Sequence, residues 1–452
     1  MKRAAWNAVL AAAVMCSQPS LAALEEAALG PQAALVVDGW RLSKPALQVL
    51  HRLVQQQDQQ AALGDVVAAV VRDRVLGEQA GRSPGDAVLF DDARVAFSPG
   101  ATAEAALVSM LERVYRQPLQ AAWGDGERFV VRRHALPARQ LTAALGAGST
   151  LRLDDRLFAA QRAALRALPL LDYRLRPGAL QTVNALDVWQ RLEVHGRSAL
   201  RAGDLAFAQH QAMRLLRQAF VLQWVQAEGG LHARDLRQLQ ALMLSRERLA
   251  AWARWQGASV DPHQASPVLE RLQREVTPDE VTRYHAEHLQ EFERIERVRA
   301  RHIRCESRAC ADAAQAALAA GTPFDEVARR HSTAPTRAQG GSLGWLDATQ
   351  AREDWLAQFA FAQPPGPPSP PVREPGAQPQ AWQIVQVDER VMGVHEVHGE
   401  TVRFAASQAI ARRKAAQQFA QGSERLLRAA RIEIDPQQLG FGAAALRERG
   451  LP

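Results

Sequence analysis

The stretch from Val298 to Arg390 constrains the fold more than any other part of the sequence. It opens with VRARHIRC, continues through AALAAGTPFDEVARRHS to the glycine pair of GGSLGWL, and closes with AWQIVQVDER. Between the last two pieces lies the segment PPGPPSPPVREPGAQPQ, residues 364–380. Because proline fixes φ and lacks an amide proton, this segment cannot be helical and is predicted to be extended polyproline II. We interpret it as a stiff connection between a helix and the final strand.

Length and charge set the class of protein. A chain of 452 residues favours two or three domains, and 47% hydrophobic with 23% charged residues is a globular composition. The net charge is +7, or 7 − 2 = +5 without Lys2 and Arg3. Positive charge can indicate nucleic-acid binding. The arginines are spread along helical faces, however, and no basic run is interleaved with aromatic residues, so we expect no nucleic-acid partner.

Residues 1–22 have the pattern of an export signal. A basic start, a short apolar run and the small-residue site Ser20-Leu21-Ala22 follow one another. The apolar run is shorter than the roughly 20 residues that cross a bilayer. An uncleaved membrane anchor is therefore disfavoured, and the large Met15 disfavours lipidation of Cys16. We expect an exported chain without a stable membrane span.

Two cysteines, Cys305 and Cys310, remain after removal of the signal. An exported protein enters an oxidising compartment, which permits a disulfide between them. We favour this local disulfide over two free thiols, and both over a metal pair. Its loop would be very short, so its contribution to stability would be modest.

The N-terminal region begins with ALVVDGWRLS, a strand, an Asp38-Gly39 turn and a returning strand. Ser43 is a candidate N-cap for the helix that follows. The residues DVVAAVVRDRVLGEQA place valines at helical spacing and predict a second helix. Residues 82–150 are ambiguous, with an extended segment from Arg128 to Arg133.

Helical patterns dominate from Leu151 to Gly257. Four tryptophans in this region either anchor helix packing, which we favour, or form an exposed apolar surface: Trp189, Trp224, Trp252 and Trp255. A later helix begins at Thr277, where Thr277 and Glu280 form a capping box and the chain runs on as VTRYHAEHLQEFERIE. The last helix, Val402 to Arg431, has an apolar stripe among arginines and leads into the short strand ARIEID.

The pieces between Val298 and Arg390 together resemble the parvulin-type peptidyl-prolyl isomerases, and the whole chain resembles periplasmic foldases of the SurA and PpiD kind. His302 matches the first family histidine. The family helix pattern G-x-x-F-x-x-x-A-x-x-x-S and the turn GG-x-LGW are both present. Further matches stand at Phe361 and Gly366. The matching residues of the two patterns are Gly321, Phe324, Ala328, Ser332, Gly340, Gly341, Leu343, Gly344 and Trp345.

This resemblance implies a site with an apolar cup for a prolyl ring beside core histidines. By position, the candidate catalytic residues are His302, Gln383 and Ser332. The candidate substrate-binding residues are Leu343, Trp345, Leu356, Phe361 and Ile384. The resemblance also implies location in the periplasm and binding of unfolded or nascent exported proteins and of proline-containing peptides.

Several positions depart from the family pattern. Gln383 stands where a second histidine is usual, and Gln383 can hydrogen-bond to His302 but cannot supply an imidazole. Ser342 replaces an aspartate, no acid follows Ser332, and the cup methionine falls near Arg352. We therefore expect weak isomerase activity or none. The alternative is a non-catalytic chaperone with a degenerate parvulin domain. The proline-rich segment has a second interpretation, as an internal pseudo-substrate lying across the cup.

The predicted fold class is α+β. The resemblance to SurA-like proteins implies a mainly helical chaperone-like region at 23–293, on which a C-terminal helix and tail at 392–452 pack. It also implies one parvulin-like domain, a small antiparallel sheet wrapped by helices, at 294–391. No nucleotide-binding or hydrolase motif is present, and His285 and His288 are more consistent with a solvated helix face than with a metal site. We expect no cofactor and no metal.

Overall fold

The computed structural model describes residues 24–90, 98–146, 157–259, 266–376 and 380–451. They form two compact units. Unit 1 is drawn from residues 1–270 and 414–452, and unit 2 is residues 271–413. The predicted export signal at 1–22 lies outside the described residues.

Strands and helices are numbered in chain order. The strands are β1 (Leu24–Glu26), β2 (Leu35–Val37), β3 (Trp40–Leu42), β4 (Val130–Arg133), β5 (Pro169–Tyr173), β6 (Gln181–Asn184), β7 (Glu293–Cys305), β8 (Ser342–Asp347), β9 (Val372–Arg373), β10 (Trp382–Val394) and β11 (Ile432–Ile434). The helices are α1 (Lys44–Gln55), α2 (Leu63–Ala80), α3 (Asp86–Leu89), α4 (Pro99–Val114), α5 (Arg116–Trp123), α6 (Ala138–Leu145), α7 (Ala159–Arg166), α8 (Ala185–Trp189), α9 (Val194–Arg201), α10 (Leu205–Ala227), α11 (Ala233–Trp255), α12 (Pro267–Arg274), α13 (Pro278–Glu287), α14 (Arg308–Ala319), α15 (Phe324–His331), α16 (Gln350–Glu353), α17 (Trp355–Ala362), α18 (Glu400–Ala429), α19 (Pro436–Leu439) and α20 (Ala443–Arg447). The α+β class predicted from the sequence is confirmed.

The first sheet of unit 1 joins both parts of the chain that form this unit. Its strand order is β1-β11-β2-β3, with β11 parallel to β1 and antiparallel to β2. The predicted β2–β3 hairpin is present, and its turn residues Asp38 and Gly39 have φ of 47° and 81°. Such left-handed φ values are what a two-residue hairpin turn requires. Ser43 caps α1, as predicted, by accepting a hydrogen bond from Ala46 N.

A second sheet of unit 1, β4-β5-β6, is antiparallel. The extended segment predicted near Arg128 to Arg133 is confirmed as β4. The helical pattern predicted from Leu151 to Gly257 is wrong at β5 and β6. Leu170, Leu171 and Tyr173 of β5 are buried against α8 and α10, so tertiary packing overrides a composition that favours helix.

The helices of unit 1 bury an extensive core. Helices α2 and α11 approach so closely at Gly77 that a Cβ there would lie 2.2 Å from the carbonyl oxygen of Ser245. The packing interpretation of the tryptophans agrees with the structure. Trp189 and Trp252 are buried in this core, and Trp224 and Trp255 pack against it.

Unit 2 is built on the antiparallel sheet β8-β7-β10-β9. The capping box at Thr277 and Glu280 begins α13, as predicted. The helix is shorter than predicted, because α13 ends at Glu287 and β7 begins at Glu293. The reason is long-range pairing: the first residues of β7 form a ladder with the last residues of β10. In the described part of the chain, no helix is both long and apolar enough to span a membrane.

Candidate functional site

The two faces of the unit 2 sheet carry different side chains. In the β7–β10 ladder, Val385 lies opposite His302 and Ile384 lies opposite Ile303. Because side chains alternate along a strand, His302, Gln383 and Val385 share one face, and Ile303 and Ile384 share the other. Val385 packs with two alanines of α17, whereas Ile384 packs with residues of α14 and α15. We call these the α17 face and the α14–α15 face.

His302 lies on the α17 face and is only 5% exposed. Its Nδ1 atom is 3.0 Å from Oε1 of Gln383, which is itself 3% exposed. Its Nε2 atom is 2.8 Å from Oγ1 of the half-buried Thr336. Both ring nitrogens are therefore hydrogen-bonded, as a buried imidazole requires.

The amide of Gln383 extends this network to a carboxylate. Gln383 Nε2 donates to Oε2 of Glu374 over 2.9 Å, and Arg304 Nε donates to the same oxygen over 3.0 Å. Glu374 is fixed by its own backbone, because its N–H donates to Ala381 O over 2.9 Å. The hydrogen bonds thus connect Thr336, His302, Gln383 and Glu374 in one row.

Burial and hydrogen bonding set the charges in this network. Burial lowers the pKa of His302, against opposing contributions from the Gln383 hydrogen bond and from the negative charges of Glu374 and Asp354. Burial would raise the pKa of Glu374, but hydrogen bonds from Gln383 and Arg304 outweigh it and lower that pKa. At neutral pH the network therefore holds a neutral imidazole and an ionised carboxylate.

Ser332, a predicted catalytic residue, makes a different set of contacts. Its hydroxyl oxygen accepts hydrogen bonds from Arg304 N over 3.1 Å and Ala334 N over 3.2 Å. The side chain is 1% exposed and fastens the end of α15 to β7. Ser332 therefore lies next to β7, the strand of His302, but its hydroxyl oxygen is hydrogen-bonded to backbone amides and not to the polar network.

Three of the predicted substrate-binding residues lie together. The α17 face carries an apolar cluster whose buried members include Val298 and Val385. Three partly buried side chains pack against this cluster: Leu343, Leu356 and Phe361. This cluster covers the same face as His302. The α17 face therefore combines half-buried apolar side chains with a polar network that is hydrogen-bonded throughout.

The other two predicted substrate-binding residues are not part of this group. Ile384 is fully buried in the cluster of the α14–α15 face. Trp345 pairs with Arg299 in the β7–β8 ladder and is 39% exposed, with the guanidinium groups of Arg297 and Arg299 over its ring. Because Val298 lies between these arginines on the α17 face, alternation directs Trp345 to the opposite face.

The glycine pair before β8 brings the chain against the histidine strand. Gly341 has φ of +79°, and its carbonyl accepts the N–H of His302 over 2.8 Å. A Cβ on Gly341 would lie 2.2 Å from the carbonyl oxygen of His302. Only glycine fits this backbone conformation and this approach.

The proline-rich segment follows the open edge of β10. Gly366 N donates to Val387 O over 2.9 Å, and Ser369 N donates to Val385 O over 2.8 Å. Strand β9 then pairs with β10 before Glu374. The segment is extended, as predicted. Strand β9 forms the edge of the sheet, and the preceding described residues connect α17 to β9 alongside β10, which is the connecting role that we favoured from the sequence.

The two cysteines are free thiols in the structure. Cys310 Sγ lies 2.6 Å from Cys305 Sγ and 3.4 Å from His331 O. Burial, followed by the hydrogen bond from Cys310, raises the pKa of Cys305 to about 12. The disulfide favoured from the sequence is not formed in the structure, and its formation in solution stays a prediction.

Two residues of the polar network were missed by sequence reasoning. Thr336 lies in a short 3₁₀ turn, residues 335–339, and Glu374 lies in the proline-rich segment. Neither region has a periodic pattern, so no sequence signal placed them beside His302. Among the described residues, no cluster of three or more histidines, cysteines or carboxylates could hold a metal ion.

The family comparison falls within unit 2. A family model described as "Rotamase: PPIC-type PPIASE domain" matches residues 296–389. Chaperone SurA of Thiobacillus denitrificans is 34% identical over 26% of this chain and 25% of its own length. Chaperone SurA of Nitrosospira multiformis is 34% identical over 25% of this chain and 24% of its own. The chain thus matches about a quarter of the length of these curated relatives.

A solved structure of the peptidylprolyl isomerase PrsA from Bacillus anthracis aligns with 45% of this chain and 79% of its own, at 15% identity and a TM-score of 0.21. A TM-score this low establishes no shared overall architecture. The family match and the similarity to the SurA relatives are similarities of sequence. The family match runs from within β7 to within β10. Residues 296–389 therefore form a parvulin-type rotamase domain, and the chain that carries it resembles the SurA chaperones over about a quarter of its length.

Proposed function

We propose that this protein is a periplasmic folding factor that binds unfolded exported polypeptides and accelerates the cis–trans isomerisation of their X–Pro bonds weakly. The observation that carries the proposal is the α17 face. There, half-buried Leu343 and Leu356 lie in the same apolar cluster, on the face of the sheet that carries the buried His302 network. We propose residues 294–391 as the isomerase domain.

The chemistry requires a suitable environment and no covalent step. Rotation about an X–Pro bond crosses a barrier of roughly 18–20 kcal/mol, because the twisted amide loses its resonance. A catalyst lowers this barrier by binding the twisted amide better than either planar isomer. An apolar surface can hold the prolyl ring, and a neutral polar network can contact the adjoining amide.

The residues divide this work in a simple way. Leu343, Leu356 and Phe361 receive the prolyl ring, and the open end of the network at Thr336 faces the peptide. His302 acts as a neutral hydrogen-bonding group, because burial disfavours its charged form. We assign Ser332 a structural part, since both of its partners are backbone amides.

A second candidate function is a chaperone that binds clients without catalysing isomerisation. It is favoured by Gln383, which replaces an imidazole with an amide that cannot titrate. It is also favoured by a cavity of about 570 Å³ in unit 1, between α2, α11 and α18. The cavity is lined by glutamine amides and by Trp252 and Phe419, and its volume suits a short peptide segment.

A proline-peptide assay on the full chain separates the two functions. We expect the wild-type protein to accelerate isomerisation of a short X–Pro peptide, and Leu343→Ala to abolish the acceleration. Trp345→Ala is the matched control, since Trp345 belongs to the same strand but to the opposite face, and it should retain the wild-type rate.

One outcome would overturn the isomerase proposal, and another would overturn its assignment to the α17 face. One is a wild-type protein that suppresses aggregation of an unfolded client but leaves the isomerisation rate at that of the peptide alone. The other is a Trp345→Ala variant that loses as much activity as Leu343→Ala, which would place the peptide on the opposite face.

A further inference from the structure

The amide of Gln383 lies between an imidazole and a carboxylate, and its orientation decides the chemistry of both. The oxygen and nitrogen ends of an amide have nearly the same shape, so an unanchored glutamine can present either end to His302. If Oε1 faces His302, the Nδ1 atom carries the proton. If Nε2 faces His302, the proton moves to Nε2 of the ring.

Glu374 removes this choice. An ionised carboxylate only accepts hydrogen bonds, so the amide must direct its NH₂ group to Glu374 and its oxygen to His302. The distances fit this arrangement, with 2.9 Å from Gln383 Nε2 to Glu374 Oε2 and 3.0 Å from Gln383 Oε1 to His302 Nδ1. Arg304 Nε, 3.0 Å from the same Glu374 oxygen, favours the ionised form of the carboxylate.

We propose that Glu374 is a positioning residue that acts through Gln383 to hold His302 as the neutral tautomer with its proton on Nδ1. The His302 tautomer is a property of the protein without substrate. Only the use of this tautomer in catalysis rests on the proposed isomerase function. This role of Glu374 assigns a site function to the proline-rich segment, which supplies Glu374 and fixes it through β9 and the Glu374–Ala381 backbone hydrogen bond.

The fixed tautomer determines what the open end of the network offers a ligand. With the proton on Nδ1, the Nε2 atom of His302 is an acceptor, and the Thr336 hydroxyl donates to it over 2.8 Å. Both lone pairs of Thr336 Oγ1 then remain free to accept hydrogen bonds. A peptide that presents a backbone N–H to Thr336 fits this end of the network. Each of the three hydrogen bonds in the row from Thr336 to Glu374 then joins one donor group to one acceptor.

Selective ¹⁵N labelling of histidine in the full chain tests this proposal by NMR. The chain has 12 histidines, so the His302 signals are assigned by difference from a His302→Gln variant. In the wild type we expect a protonated Nδ1 and an unprotonated Nε2. In Glu374→Gln, the new amide can donate or accept, so Gln383 can turn over and the His302 signals should shift towards a mixture of tautomers.

The matched control is Glu389→Gln, which neutralises an exposed acid that pairs with Arg299 outside the network. It should leave the His302 tautomer unchanged. A His302 that carries its proton on Nε2 in the wild type would overturn the proposal. So would a Glu374→Gln variant with wild-type His302 signals.

The NMR measurement separates this proposal from the proposed function. If the full chain has no isomerase activity but the tautomer changes in Glu374→Gln, the function fails and the role of Glu374 stands. If the chain is active and the tautomer is unaffected by Glu374→Gln, the isomerase function stands and the proposed role of Glu374 fails. In an active chain, Glu374→Gln should lower kcat for the proline peptide more than it changes KM, since Glu374 does not touch the substrate.

Discussion

At the scale of single residues, the sequence identified part of the polar network. His302 and Gln383 stand at positions with family counterparts. The hydrogen bond between them, which the sequence analysis considered possible for a glutamine, is present. Thr336 and Glu374 were not predictable, because their placement depends on how a short turn and an edge segment fold against β7 and β10. Long-range contacts of this kind leave no local periodic signal.

The buried amide of Gln383 should contribute to stability as well as to the site. Gln383→Leu leaves Glu374 with one donor fewer and His302 Nδ1 without its partner. An unsatisfied buried polar group costs roughly 1–3 kcal/mol, so we expect the free energy of unfolding of unit 2 to fall by about that amount. Urea denaturation measures it. Gln386→Leu, on the same strand but the opposite face and more exposed, is the comparison and should cost less. Equal losses in the two variants would show that the network adds no stability.

A second cluster of polar side chains, in unit 1, predicts a pH dependence. Asp172 accepts hydrogen bonds from Thr182 over 2.6 Å and from His134 over 2.7 Å, and the Thr182 bond contributes most to lowering the pKa of Asp172 below its ordinary 3.8. A carboxyl group whose pKa is lower in the folded state than in the unfolded state stabilises the fold at any pH above its unfolded-state pKa. That stabilisation is lost as the pH falls through its folded-state pKa.

We therefore expect the free energy of unfolding to decrease on acidification below about pH 4, and the Asp172→Asn variant to show a smaller decrease over the same range. Urea denaturation at several pH values checks this. If Asp172→Asn has the same pH profile as the wild type, Asp172 does not carry this part of the acid sensitivity.

At the scale of elements, predictions succeeded where local chemistry decides the conformation. The β2–β3 turn, the Ser43 cap and the Thr277 capping box all depend on side chains next to the backbone that they fix. Predictions were wrong where pairing partners are distant. The strands β5 and β6 lie in a stretch whose composition favours helix, and the start of β7 was predicted as helix because its ladder with β10 is not visible locally.

The turn at Gly341 is the element-scale feature most sensitive to substitution. Gly341→Ala places a Cβ at 2.2 Å from His302 O and requires an unfavourable φ of +79°. We expect the β7–β8 ladder to separate near His302 and the melting temperature of unit 2 to fall. Scanning calorimetry measures this. Gly422→Ala is the control: Gly422 lies in α18 with open space around its Cβ position, so that variant should be neutral or about 1 kcal/mol more stable.

At the scale of the full chain, the residues of unit 1 come from both sides of unit 2 in the sequence. Strand β11 lies between β1 and β2, so residues 432–434 complete a sheet begun near residue 24. The resemblance to SurA-like proteins implied that the C-terminal segment packs on the N-terminal region. Composition and periodicity could not have given this arrangement, because β11 is only three residues long.

The insertion of β11 predicts that its buried side chains are needed for the stability of unit 1. Ile432 and Ile434 are fully buried, whereas Glu433 between them is partly exposed. Ile432→Ala should lower the free energy of unfolding by roughly 2–5 kcal/mol, since a large buried side chain leaves a cavity. Glu433→Ala, on the same strand, should change it by less than about 1 kcal/mol. Tryptophan fluorescence during urea denaturation reports on both. Equal effects would contradict the placement of β11 in the core.

The proposed isomerase activity depends above all on a prolyl ring that binds on the α17 face, beside His302. Nuclear Overhauser effects between a proline-containing peptide and methyl-labelled leucines of the full chain detect this contact itself. We expect contacts from the proline ring protons to the methyl groups of Leu343 and Leu356. Contacts confined to leucines of unit 1, or proline contacts with Trp345 on the opposite face, would contradict it.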